Sequence, residues 1–191
     1  MTYVELIVVL SIFSVMTSVV LFDYRGFQGR VDVKVLANDI ALKAVEAQRS
    51  AVYGELGTSP FDKAPSYGLR FNVDSTTNKR FIYFADFNNN DSYNGPAIGN
   101  STCDAECLDK IDITKGNYIS GLRIVGAGCP ATVNNINVTF QRPSSTASFR
   151  SNPPLGLACD TGIEYLAVDI SSPNALGATI QIYASGRIQI E

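Results

Sequence analysis

The stretch Asp86-Phe87-Asn88-Asn89-Asn90-Asp91-Ser92-Tyr93-Asn94-Gly95 sets side-chain oxygens at alternate positions, as the start of a calcium-binding loop does. The sixth position is Asp91, where such a loop has Gly, and the twelfth is Ala97, where it has a bidentate Glu. Two readings stand side by side. One is a calcium site held by Asp86, Asn88, Asn90 and Asp91; the other is a polar turn of residues that tolerate left-handed backbone. Four cysteines, Cys103, Cys107, Cys129 and Cys159, form a second constellation, all in the C-terminal half among Gly, Pro, Asn and Ser. A zinc site would need two ligands beyond Cys103 and Cys107, and the chain contains no His, so disulfides of an exported protein are the better reading. Three pairings are open, of which Cys103 with Cys107 and Cys129 with Cys159 is the one expected.

The absence of His removes the side chain best suited to proton transfer near neutral pH and weighs against many hydrolase mechanisms. Asp160-Thr161-Gly162 has the sequence of the carboxylate-bearing loop of an aspartic protease, but that chemistry shares one proton between two such carboxylates. Only one copy is present, directly after Cys159, and a turn is the stronger reading. Asn90, Asn100 and Asn137 each open an Asn-x-Ser/Thr sequon, which matters only in a host that glycosylates exported proteins. No enzymatic activity is expected. A net charge of -3, from 15 basic and 18 acidic residues, supplies no basic field for specific nucleic-acid binding by a lone subunit.

The elements that must carry these residues begin with Met1 to Phe22, MTYVELIVVLSIFSVMTSVVLF, an apolar run long enough to cross a hydrocarbon core of about 30 Å as a helix. It lacks the basic flank and small-residue cleavage site of a secretory signal, so it is expected to stay in the mature protein. Glu5 is its single charge, and a carboxylate within a membrane segment costs on the order of 2.5 to 3.5 kcal/mol unless paired. The nearest cation in sequence is the amino group of Met1, on the same chain or on another copy. The simpler alternative is that Glu5 sits in the first helical turn, where the macrodipole favours an anion.

The run Met1-Thr2-Tyr3-Val4-Glu5-Leu6-Ile7-Val8-Val9-Leu10 resembles the mature N-terminus of type IV pilins and type II secretion pseudopilins. The resemblance implies a leader cut off just before Met1 by a prepilin peptidase, N-methylation of the Met1 amine, and assembly through an inner-membrane platform. It implies that Glu5 neutralises the Met1 amine of an adjacent copy as a helical homopolymer grows. The chain would lie in the inner membrane before assembly and in an extracellular surface filament afterwards. The leading expectation is a structural subunit of a type IV pilus, serving adhesion, twitching motility or DNA uptake. The alternative is a minor pseudopilin or pilus-tip protein of a type II secretion-like system. Many pilins have proline near residue 22, where this chain has Phe22. Gly26 and Gly29, together with Ser14, Thr17, Ser18 and the β-branched Val15, Val19 and Val20, still lower helix propensity between about Ser14 and Gly29. Local unwinding there is expected once the helix is packed in a filament.

From Val31 to about Tyr53 the pattern turns amphipathic. Val33, Leu36, Ile40, Ala44, Ala47 and Ala51 form one face, with Asp32, Asp39, Lys43, Glu46 and Ser50 opposite and Asp39 to Lys43 in the favourable i,i+4 order. Gly54 and Gly57 end the helix. Beyond them the period becomes two: Tyr67 to Val73 and Lys79 to Ala85 read as a hairpin, and Tyr118 to Val125, Asn135 to Phe140 and Ile163 to Ile170 read as further strands. Ile180 and Ile182, then Ile188 and Ile190, flank a turn at Ala184-Ser185-Gly186. This second half more weakly resembles the head of the minor pseudopilin and FimT-like branch. The fold class is therefore α+β, a pilin fold. Residues 1–30 form the transmembrane and filament-core half of a long helix, 31–53 its amphipathic half, and 54–191 an antiparallel β-sheet head packed against it.

Overall fold

In a computed structural model, residues 2–53, 65–99, 102–103, 106–126, 131–151, 162–174 and 176–191 are described. The first element is one unbroken helix, α1 (Tyr3–Tyr53), of 51 residues. At 1.5 Å per residue it is about 77 Å long. Gly54 and Gly57, which the sequence reads as its end, lie outside the described residues. Gly26 and Gly29 lie inside it; Leu176 packs over Gly29, with Cδ1 only 3.1 Å from where a Cβ would stand.

The chain is α+β, and its head pairs antiparallel throughout, as the periodicity predicts, but it divides into two sheets rather than one. The first contains β1 (Ser66–Asn72), β2 (Arg80–Asp86), β3 (Cys107–Asp112), β6 (Asn135–Phe140) and β7 (Ala147–Ser151), in the order β3-β2-β1-β6-β7. The second contains β4 (Tyr118–Gly126), β5 (Ala131–Thr132), β8 (Ile163–Ser171), β9 (Gly177–Tyr183) and β10 (Ile188–Ile190), in the order β10-β9-β8-β4-β5. The β1–β2 hairpin forms around Asp74 as expected, with Thr77 and Asn78 donating to the Asp74 carbonyl at 2.8 Å and Leu69 opposite Tyr83. The C-terminal hairpin sets Ile182 opposite Ile188 and Ile180 opposite Ile190, with Gly186 at φ 86° supplying the left-handed turn.

Three strands carry no period-two signal. In β3, Cys-Leu-Asp-Lys-Ile-Asp, most positions are exposed or half-buried, because it is an edge strand held by backbone pairing to β2. Its outer bonds are ionic: Arg80 with Asp112, and Lys43 with Asp109 at 3.8 Å. β7 and β5 are the other such edges. In β4 the alternation itself breaks: a register shift between Ile119 and Gly121 lets Ile119, Leu122 and Ile124 all point inward despite their uneven spacing.

The main core lies between the helix and the inner faces of both sheets. Val33, Ala37, Ile40, Ala44, Ala47 and Ala51 recur every three or four residues and are buried. They face Leu69, Phe71, Phe81 and Phe140 of the first sheet and Leu122, Leu166, Val168 and Ile182 of the second. Four alanines in that stripe bring the helix backbone close to the strands. Each fully buried Leu, Ile or Phe contributes about 1.5 to 3 kcal/mol relative to exposure. The face called polar from sequence is not uniformly so. Ser50 is buried and accepts a hydrogen bond from the Tyr83 hydroxyl at 3.1 Å, and Asp32 meets Lys115 at 2.5 Å. Lys43 pairs with Glu46 at 2.9 Å, while its ammonium lies 5.6 Å from the Tyr83 ring centre.

A smaller core lies on the outer face of the first sheet. There the chain between β2 and β3 folds back, so that Ile82, Phe84, Tyr93, Ile98 and Cys107 bury one another. Phe84 and Tyr93 meet edge to face at 5.4 Å, and the Arg70 guanidinium lies over the Tyr93 ring at 5.6 Å.

Candidate functional site

Two places answer to the residues singled out by their chemistry: the start of the helix, and the loop that leaves β2. At the first, Thr2 and Glu5 close a reciprocal cap. The Glu5 amide donates to Thr2 Oγ1 at 3.4 Å, and the Thr2 amide donates to Glu5 Oε2 at 3.4 Å. Thr2-Tyr3-Val4-Glu5 is thus a capping box, which satisfies two of the orphan donors at the helix start. A Thr three residues before a Glu, just ahead of an apolar run, is the sequence signature of such a box. Met1 lies outside the described residues.

From Thr2 to Leu21 every side chain is exposed. An 18-residue window of this helix reaches a mean hydropathy of 2.4 with none of its residues buried, so the segment is long and apolar enough to cross a membrane. Two of its hydroxyls turn back on the helix. Ser11 Oγ donates to the Val8 carbonyl and Thr17 Oγ1 to the Phe13 carbonyl, both at 2.8 Å. Those hydroxyls need no water, which is what an apolar medium demands.

At the second place, Asp86 ends β2 with no exposed surface. Its Oδ2 accepts the Asp91 amide at 2.7 Å and its Oδ1 the Asn90 amide at 3.3 Å. Asn88 Oδ1 accepts the same Asn90 amide at 3.1 Å, and Asn90 Oδ1 accepts the Ser92 amide at 2.9 Å. Asp91 Oδ1 accepts the Thr139 hydroxyl at 2.9 Å. Asn89 and Asp91 hold φ of 55° and 59°, the left-handed conformation that these residue types tolerate. The four candidate calcium ligands are thus brought into one loop, but each turns an oxygen onto an N–H or O–H. A calcium ion gathers six to eight oxygens around itself, and these side chains keep lone pairs beyond the bonds they accept. Among the described residues no three His, Cys, Asp or Glu side chains group in a way that could hold a metal. The loop is a hydrogen-bonded polar turn that brings all four candidate side chains together.

Glu106 lies at the other end of the same loop, buried, with Oε2 accepting the Asn94 amide at 2.7 Å. Burial pushes both Asp86 and Glu106 above the usual carboxylate range. Backbone amides oppose the shift, while the Asp91 charge adds to it at Asp86 and the Asp86 charge adds to it at Glu106. No sequence pattern pointed to Glu106, because its partners lie 12 or more residues away. On the second sheet Asp169 behaves in the opposite way. Burial raises it, but hydrogen bonds from Arg123, at 2.8 and 3.0 Å, and from Thr179, at 2.7 Å, together with the Arg123 charge, leave it below the usual range.

Cys103 and Cys107 are joined, with Cα atoms 5.1 Å apart, tying the loop to the first residue of β3 as expected. Cys129 and Cys159 lie outside the described residues, as do Asp160, Thr161 and Asn100. Asn137 is buried, its amide donating to Ser92 Oγ and the Arg150 carbonyl at 3.3 Å each, so its sequon offers no acceptor surface. No protein-family model, no curated protein and no solved structure matches the chain.

Proposed function

We propose that this chain is a structural subunit of a type IV pilus: held in the inner membrane by the N-terminal half of α1, then drawn into an extracellular helical polymer of its own copies. The observation that carries the reading is the division of one continuous helix. Residues Thr2 to Leu21 are apolar and bare, while the same helix from Val33 onward is built into the head. Such a helix needs an apolar surround before assembly, and other copies of itself can replace lipid afterwards. Glu5 is the group that distinguishes the two surrounds. Its charge is poorly tolerated in hydrocarbon and is neutralised by the Met1 amine of the adjoining copy.

The capping box sharpens the test, because replacing Glu5 by Ala removes a charge and a cap together. Glu5→Gln keeps a side chain that can close the box and loses only the charge. Both variants are expected to insert in the membrane with a normally folded head and to yield few sheared fibres. If Glu5→Gln assembles normally and only Glu5→Ala fails, Glu5 acts as a cap and not as an assembly charge. Normal fibre yield from both overturns its role.

A further inference from the structure

Just past the bare segment of α1, the head opens a groove of about 730 Å3 between the helix and the β9–β10 hairpin. Its floor is apolar, formed by Val31 of the helix, Leu176 ahead of β9 and Ile190 of β10. Phe27, 67% exposed, lines the end nearer the bare segment. Arg30 and Lys34 follow it along the helix, four residues apart and so on one face, both of them exposed. Neither cation makes an ion pair among the described residues, and neither does Glu191, a carboxylate that also lines the groove.

The chemistry changes along the helix axis in the order in which it changes along a phospholipid. A hydrocarbon core of about 30 Å takes about 20 helical residues, so a core that begins just beyond Glu5 ends at about position 25. At 1.5 Å per residue, Phe27 is then about 3 Å into the headgroup layer, Arg30 about 8 Å and Lys34 about 14 Å. Long basic side chains on a helix lean toward its N-terminus and reach back to the interface, which brings both cations toward the level of the lipid phosphates.

We propose that this groove seats one anionic phospholipid, with its phosphate between the Arg30 guanidinium and the Lys34 ammonium and its glycerol and first methylenes along Val31, Leu176 and Ile190. The inference rests on the membrane half of the reading above. Two features select that occupant. Arg offers a planar fork to two phosphate oxygens and Lys a point charge, and together they outweigh Glu191, leaving one positive charge for one phosphodiester to offset. The apolar floor lies beside them. A free phosphate would pair the cations and leave the floor bare, and an apolar peptide would cover the floor and leave the cations unpaired.

The chain contains no Trp, so Phe27→Trp exchanges one exposed ring for another and makes a single reporter at the mouth of the groove. The full-length variant is reconstituted in phosphatidylcholine vesicles that carry either phosphatidylglycerol or phosphatidylcholine brominated in the acyl chains, and quenching of the Trp emission gives the relative association constant of each. Phosphatidylglycerol is expected to bind at least about fivefold more tightly, the worth of one basic side chain at an anionic surface. Arg30→Gln with Lys34→Gln is expected to bring the two lipids level. Val31→Ser with Ile190→Ser keeps both cations and strips the floor at positions 40% and 37% exposed, and is expected to lose the preference as well. A preference that survives the stripped floor would mean attraction of a charged bilayer to two basic side chains with no seat in the groove, and overturns the proposal, as do equal constants in the parent chain. Glycerol 3-phosphate in solution is expected to leave the quenching unchanged; displacement of phosphatidylglycerol by it overturns the lipid as the ligand. Failure of the chain to float with phosphatidylcholine vesicles would instead overturn the membrane reading.

Discussion

Ile12 and Ile40 are the same residue on the same helix, one 53% exposed and the other fully buried. The two halves of α1 share a backbone and an apolar character, and they differ in what lies alongside. The C-terminal half places Ile40 and four buried alanines against both sheets, and its fate is tied to theirs. From Thr2 to Leu21 the N-terminal half is exposed throughout and adds no burial to the head. An apolar stretch shows that burial is needed; whether the partner is internal or external depends on where the rest of the chain goes.

The contrast is broken most directly by truncation at matched positions. Ile40→Ala is expected to lower head stability by about 2 to 5 kcal/mol, as buried Ile truncations do, and Ile12→Ala to leave it unchanged. Denaturant unfolding followed through the tyrosines of the head measures both, and equal losses would mean that the two halves are not energetically separate. A smaller effect comes from enlarging a residue. Ala44 is fully buried, and Ala44→Leu is expected to cost about 1 to 3 kcal/mol by forcing helix and sheets apart, whereas the same enlargement of an exposed small residue such as Ser11 leaves head stability alone. Thermal melting of the pair reads the difference.

The smallest effect is the response of the head to pH, which sharpens the contrast because it acts through carboxylates of the sheets and their loops. Asp169 is held below its ordinary range, so its contribution is present above that range and disappears as pH falls through the lowered folded value. Asp86 and Glu106 are raised mainly by burial. Their contribution is complete below the ordinary carboxylate range and is lost as pH rises through the raised folded values. In melting curves between about pH 3 and pH 7, Asp169→Asn is expected to flatten the acid-side loss, and Asp86→Asn the loss at rising pH. Unchanged profiles in both variants would remove these groups as the source.

The sequence by itself determined whatever depends on near neighbours. The apolar run, the switch to amphipathic spacing after Val31 and the strands β1, β2, β4, β6, β8, β9 and β10 follow from periods of 3.6 and 2, and the Thr2–Glu5 box from a spacing of three. Tertiary structure decided what depends on distant ones. Alternation tells a strand which side is apolar but not which strand lies beside it, so the two sheets and the polar edges β3, β5 and β7 were not legible. The oxygens of Asp86, Asn88, Asn90 and Asp91 were visible as a cluster. Their direction was set by local amides and by Thr139, nearly 50 residues on, which turns them toward hydrogen-bond donors. Which apolar residues of α1 between Val31 and Val52 stay outside was hidden for the same reason. Both faces of that helix carry apolar residues at helical spacing, and only the docking of the sheets onto Val33, Ile40 and Ala47 decided which face the head covers.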